Sequence, residues 1–218
     1  MTQGAAFAAE GVRGFLHRPA GEPGGGLVLT HGAGGNCNSR LLVAAAEAFG
    51  AAGLCVLRCD LPFRQKRPSG PPSPSGAAAD RAGLQAAVEA MRGLVPGRVI
   101  LGGQSYGGRQ ATMLVADEPG QVAGLLLFSY PLYPPGKPER LRTEHFPRLR
   151  VPCVFVQGTA DPFGSPDELR AAIAAIPART ELIPVERAGH DLKSGRFDFA
   201  PVVATVLRLG TEVTAGRG

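Results

Sequence analysis

Short apolar runs and amphipathic stretches alternate along this chain. Gly26–Thr30 "GLVLT", Leu54–Arg58, "RVILGG" at 98–103, Val122–Phe128 and "PCVFVQG" at 152–158 are continuous apolar runs of strand length. Such runs suit strands buried on both faces. Val12–His17 and "TELIPVE" at 180–186 read as two more strands, the second made irregular by Pro184. Helical periods separate them. Asn38–Phe49 is one, with Asn36, Asn38 or Ser39 as its cap. Ala77–Leu94 brings Leu84, Val88 and Met91 onto one face at i, i+4, i+7. Gly107–Ala116 is a third. Ser165-Pro166-Asp167-Glu168 opens a fourth with a cap, a proline and first-turn acids; Leu169, Ile173 and Ile176 line it and Pro177 ends it. Phe197–Leu209 is the last, with Val202, Val206 and Leu209 aligned. Residues 60–76 and 130–150 show no period and read as Pro-rich loops.

Strand-then-helix alternation predicts the α/β class, a mostly parallel sheet flanked by helices on both faces. Residues 1–210 then form a single domain and 211–218 a loose tail. In such sheets ligands gather at the carboxyl ends of the strands, so the loops that follow strands hold the functional candidates. Residues 130–150 are too few for a separate lid domain, so a minimal lid or none is expected.

Composition narrows the function classes. At 218 residues, 44% hydrophobic and 19% charged, the chain can bury one substantial core. The net charge of +5 is mild, and no arginine-rich arm, zinc-finger spacing or aromatic–basic stripe accompanies it. No nucleic-acid partner is expected. The first residues lack a basic start followed by a long apolar stretch, and the apolar runs are too short for a bilayer, so neither signal peptide nor membrane association is expected. Cys55 and Cys59 sit about 13 Å apart along one strand, too far to bridge. With Cys37 and Cys153 they form no CxxC pair, and a reduced, cytoplasmic protein is expected, as a monomer or small homo-oligomer. Cys37 lies near a helix start, where a thiol can be activated; as a free cysteine it reads instead as a small apolar filler.

The chemistry concentrates in "LGGQSYGG", Leu101–Gly108. With 31 glycines in the chain a bare Gly-x-Ser-x-Gly match is cheap. Its setting between an apolar strand and a helix is not, because that is what a nucleophile elbow requires. Ser105 is therefore the candidate nucleophile. A serine needs a base, and the order on such folds is serine, acid, histidine. His190, in "ERAGHDL" after the last strand, follows Ser105; His145 lies in an irregular segment, while His17 and His31 precede the serine. Asp161, in "VFVQGTADPFG", is the acid delivered by a strand end. Oxyanion donors are expected from the N–H of Tyr106 and from the "THGAGGN" loop, with Ala33 chosen there and His31 as a brace. The substrate pocket is expected to draw on His31, Gly32 and Gly34 of that loop, and on Phe63 and Arg64. Arg109 after the elbow, and Tyr130, Tyr133 and Lys137 beyond the next strand, complete it.

These stretches carry a resemblance. "LTHGAGGN", "LRCDLPF", "GGQSYGGR", "YPLYPPGKPERLR", "VFVQGTADPFG" and "AGHDL" resemble the α/β-hydrolases. More narrowly they resemble the dienelactone-hydrolase-like branch that includes testis-expressed protein 30 and the third subunit of the nonspecific-lethal complex. The resemblance implies an eight-stranded type of core, with neither metal nor organic cofactor. Dienelactone hydrolases proper carry cysteine in the elbow, so their substrate does not carry over to a chain with serine there. The expected activity is serine hydrolysis of a small ester, lactone or thioester. Two alternatives stand beside it: a non-catalytic scaffold on the same fold, or an acyltransferase or perhydrolase using the same residues.

Charge adds one more expectation. Residues 60–76 hold Arg64, Lys66 and Arg67 against Asp60. Residues 130–150 hold Lys137, Arg140, Arg142, Arg148 and Arg150 against Glu139 and Glu144. Both loops should flank the Ser105 pocket. They are either a solvated surface or a rim that attracts an anionic acyl substrate or acidic partner.

Overall fold

The computed structural model describes residues 4–215, with side chains described through Arg208. Eight strands form one sheet: β1 Ala5–Ala9, β2 Val12–His17, β3 Gly26–Thr30, β4 Cys55–Cys59, β5 Val99–Gln104, β6 Gly124–Phe128, β7 Cys153–Gly158 and β8 Thr180–Val185. Their order is β1-β2-β4-β3-β5-β6-β7-β8. β2 is antiparallel to both of its neighbours, and every other pairing is parallel. The helices are α1 Arg40–Ala51, α2 Pro62–Lys66, α3 Ala77–Arg92, α4 Tyr106–Asp117, α5 Pro166–Ile173 and α6 Ala200–Ala215.

The apolar runs are buried on both faces because successive side chains point to opposite sides of a strand. In β6, Leu125 and Leu127 join one core while Leu126 and Phe128 join the other. The first core is closed by α3, α4 and α5 through Leu84, Val88, Met91, Leu114, Leu169 and Ile173. The second is closed by α1 and α6 through Leu41, Leu42, Phe49, Val202 and Val206. This is the expected three-layer α/β arrangement, and no helix among the described residues is long and apolar enough to cross a membrane.

Several boundaries differ from the periodic reading. β1 was not foreseen. Its sequence "AAFAA" has one large side chain, and four of its five residues are exposed, so it carries no alternation to read. Its pairing with β2 turns on Gly11, whose φ of 72° suits glycine. α2 lies inside the segment read as loop, held by Asp80 Oδ1, which accepts from Phe63 N at 3.0 Å. α5 ends at Ile173, before Pro177, and α6 starts at Ala200 rather than Phe197. α6 also runs through Ala215, so residues 211–215 are helical. Residues 216–218 lie outside the described residues, as does the side chain of Leu209. Pro184 is accommodated because β8 is an edge strand.

Candidate active site

Ser105 is the single residue between the end of β5 and the start of α4. Its backbone has φ 51° and ψ −116°, a conformation that costs a non-glycine residue on the order of 1–3 kcal/mol. The surroundings hold it there. Ser105 N donates to Phe128 O at 2.9 Å, and Ser105 O accepts from Arg109 N at 2.9 Å. The glycines around it are required by close approach. A Cβ on Gly103 would lie 2.7 Å from Gly108 N, and one on Gly107 would lie 2.5 Å from His31 O. Strand, helix and the loop after β3 can meet only because these positions lack side chains.

β7 delivers Asp161 three residues beyond its end, and the loop after β8 delivers His190. The three expected residues come together. His190 Nε2 lies 2.7 Å from Ser105 Oγ. His190 Nδ1 lies 3.0 and 2.9 Å from the two carboxylate oxygens of Asp161. An ionised carboxylate only accepts, so Nδ1 carries the proton and Nε2 is left as acceptor for the Ser105 hydroxyl. The Asp161 side chain is 0% exposed and that of His190 24%. Burial of the carboxylate is compensated by two further donors, Phe163 N at 2.9 Å and Gln157 Nε2 at 3.1 Å. Gln157 also donates to Gly164 O at 2.8 Å and accepts from Tyr130 N at 2.9 Å. It ties the acid to the ends of β6 and β7. The Phe163 ring meets the His190 imidazole edge-on at 4.5 Å, and Gln104 Nε2 donates to His190 O at 3.3 Å.

The loop after β3 is braced from below. His31 is fully buried, and its Nδ1 donates to Gly32 O at 2.8 Å while Nε2 accepts from Leu61 N at 3.1 Å. Burial lowers its pKa, which favours this neutral form. Gly35 N donates to the same Gly32 carbonyl at 3.1 Å. Because the peptide is planar and trans, fixing the Gly32 carbonyl turns the Ala33 N–H the opposite way. Ala33 and Tyr106 both line a cavity of about 470 Å³ that opens on Ser105. Tyr106 N belongs to the first turn of α4, whose N–H groups have no partner within the helix.

The other expected pocket residues divide. Gly32 abuts Ser105, since a Cβ there would meet Ser105 Cβ at 3.3 Å. Arg109 lines the cavity. Phe63 does not line it. It is buried edge-on between His31 and Tyr106, with ring centroids 5.5 and 5.9 Å away. Arg64 does not line it either. It is buried, with Nε on Gly35 O at 2.7 Å and its Nη atoms on the Ala33, Arg67 and Gly70 carbonyls. Its charge is spent on bracing the loop, and the expectation of a free rim cation there is corrected. Tyr130 is buried behind the wall, donating to Arg142 O at 2.7 Å. Tyr133 faces Glu168, and Gly34 and Lys137 are exposed away from the cavity.

Sequence reasoning missed part of the wall. Pro71, Pro72 and Pro74 from the loop after β4 face Pro131, Pro135 and Arg142 from the loop after β6. It also missed Asp80, which is buried and accepts from Tyr106 Oη at 2.8 Å as well as from Phe63 N. Asp80 is the fourth residue of α3, and an acid in a helix's first turn reads as a solvated complement to the helix dipole, so nothing in the sequence marks it as buried. Cys37 is no nucleophile: burial, then the adjacent Asp60, pushes its thiol up to about 12. All four cysteines are free and buried.

Comparison with known proteins agrees with this fold. The model of the alpha/beta hydrolase domain matches residues 24–199. Among solved structures, an alpha-beta serine hydrolase homologue from Coxiella burnetii is 18% identical, with a TM-score of 0.68 and 98% of each chain covered. Est1E from Butyrivibrio proteoclasticus is 16% identical, with a TM-score of 0.72, covering 98% of this chain and 100% of its own. Dienelactone hydrolase from Anabaena variabilis is 20% identical, with a TM-score of 0.65, covering 97% of this chain and 95% of its own. At such identities the structures speak for the fold, and the domain match, which spans most of the chain, speaks for the family. The chain belongs to the alpha/beta hydrolases.

Proposed function

We propose that this protein is a serine hydrolase that cleaves a small ester, lactone or thioester. The observation that carries the reading is the continuous chain from Ser105 Oγ through His190 to the buried Asp161 carboxylate, at 2.7 and 2.9 Å. In the first half-reaction Ser105 Oγ attacks the carbonyl carbon while His190 Nε2 takes its proton. The tetrahedral oxyanion is met by the N–H groups of Tyr106 and Ala33. Collapse expels the alcohol or thiol, which leaves with the proton from His190, and an acyl-Ser105 remains. Water then repeats the sequence and releases the acid. Asp161 holds the imidazole in the tautomer that leaves Nε2 bare.

Ester-sized substrates fit the cavity of about 470 Å³. Its walls are two proline-rich loops rather than a lid domain, and proline makes those walls stiff. Steady-state hydrolysis of p-nitrophenyl butyrate tests the reading. Ser105→Ala and His190→Ala are each expected to lower kcat by about 10³-fold or more with the fold retained. Near wild-type turnover by Ser105→Ala would overturn it.

A further inference from the structure

Among the described residues, two arginines in the Ser105 cavity find no side-chain hydrogen-bond partner. Arg109 stands one helical turn beyond the nucleophile, its N–H on Ser105 O at 2.9 Å. Its Nε is buried and has no hydrogen-bond partner. Arg142 reaches the same cavity from the loop after β6. Its side chain makes no hydrogen bond or ion pair with the described residues. The contrast with their neighbours is sharp: Arg64 places its donors on four carbonyls, and Arg81 donates to Gln110 Oε1 at 3.1 Å. Among the described residues no aspartate or glutamate lines the cavity.

The two charges sit close enough to oppose one another. The Arg142 pKa is lowered, first by burial and next by the charge of Arg109. Exposed Glu144 offsets part of this, whereas Arg140 adds to it. Two partly desolvated like charges without an acid between them are unfavourable unless an anion completes the set. The fold nevertheless presents Arg142 firmly. Its backbone N donates to Leu132 O at 2.8 Å, and its carbonyl accepts from Tyr130 Oη at 2.7 Å. Arg109 is fixed by α4. Guanidinium groups held in place in this way are preorganised for a planar, two-oxygen anion.

We infer that Arg109 and Arg142 form a carboxylate-binding subsite beside Ser105, so that the acyl substrate carries a free carboxylate of its own. The inference rests on the hydrolase reading above and narrows its substrate class to esters or lactones of dicarboxylic or related acids. It also narrows the attraction for anions from the two basic loops as a whole to Arg142 of the second loop together with Arg109 of α4.

The test pairs charged and neutral substrates of matched size. Mono-p-nitrophenyl glutarate is compared with p-nitrophenyl valerate, for the wild type, Arg109→Gln, Arg142→Gln and Arg109→Lys. The wild type is expected to favour the glutarate by about tenfold or more in kcat/KM. Each glutamine variant should lose most of that preference, with KM for the glutarate rising by a larger factor than KM for the valerate. Arg109→Lys should fall between, because it keeps the charge and loses the fork. Equal losses on both esters, or a wild-type preference for valerate, would overturn the subsite. Binding of monomethyl glutarate to Ser105→Ala by calorimetry separates this from failure of the hydrolase reading. Binding that disappears with added Arg142→Gln supports the subsite even without turnover, and binding indifferent to both arginines refutes it.

Discussion

The strained residue and its supports fix the geometry of the site. Ser105 occupies a positive-φ position that only a tied-down turn tolerates, and Asp161 stays buried only because donors surround it. Gln157 is the residue on which that depends. It bonds Asp161, Gly164 and Tyr130 at once from a fully buried position. Gln157→Leu leaves a buried N–H and a buried carbonyl without partners, which costs about 1–3 kcal/mol each. Chemical denaturation should show that loss, and kcat should fall with KM little changed because His190 loses its fixed orientation. An unchanged kcat in folded Gln157→Leu would remove Gln157 from the positioning of Asp161. Asp161→Asn should be severe in the same assay, since an amide allows the wrong imidazole tautomer. These partners were not legible beforehand. Ser105, Asp161 and His190 each follow an apolar run and announce themselves by order. Gln157 sits inside such a run, where a polar residue has no period to mark it.

At the scale of elements, what could be read depended on whether local pattern or tertiary contact decided the structure. The helix at Pro166 was legible because its start is chemical. Ser165 Oγ accepts from Glu168 N at 3.3 Å, and Glu168 Oε2 accepts from Ser165 N at 2.8 Å, a complete capping box. Ser165→Ala should cost about 1 kcal/mol, read as a lowered denaturation midpoint with an unchanged slope. By contrast β1 and α2 have weak local signals and exist through their contacts: β1 by pairing with β2, α2 by Asp80. The loops show the same division. Their placement on either side of β5 follows from strand order, but which arginine enters the cavity does not. Arg64 and Arg142 look alike as sequence. One is consumed by carbonyls of the loop after β3, while the other lines the cavity that holds Ser105.

For the whole molecule, burial of neutral histidines links stability to pH. His145 is buried against Thr112, its Nε2 2.8 Å from the hydroxyl. Burial, then the charge of Arg109, lowers its pKa to about 4 from the ordinary 6.5. Above pH 6.5 both folded and unfolded chains leave it neutral, and stability is complete. Between 6.5 and 4 the unfolded chain takes up the proton first, so stability declines as pH falls. The loss is at most about 3 kcal/mol. His31, also lowered by burial, acts in the same direction. Urea unfolding from pH 7 to 4 should show this decline and a shallower one in His145→Gln; parallel curves would contradict it. The family was legible at this scale because six motifs spread from Leu29 to Leu192 agree with one another, and the matched domain spans 24–199. The narrower branch rests on those motifs alone. The central claim is that Ser105 is a nucleophile activated by His190, and covalent labelling tests it most directly. A fluorophosphonate probe followed by peptide mass spectrometry should place one adduct on Ser105, formed at least about 10²-fold more slowly in His190→Ala. An adduct on another residue, or labelling of Ser105 at an equal rate without His190, would contradict the account.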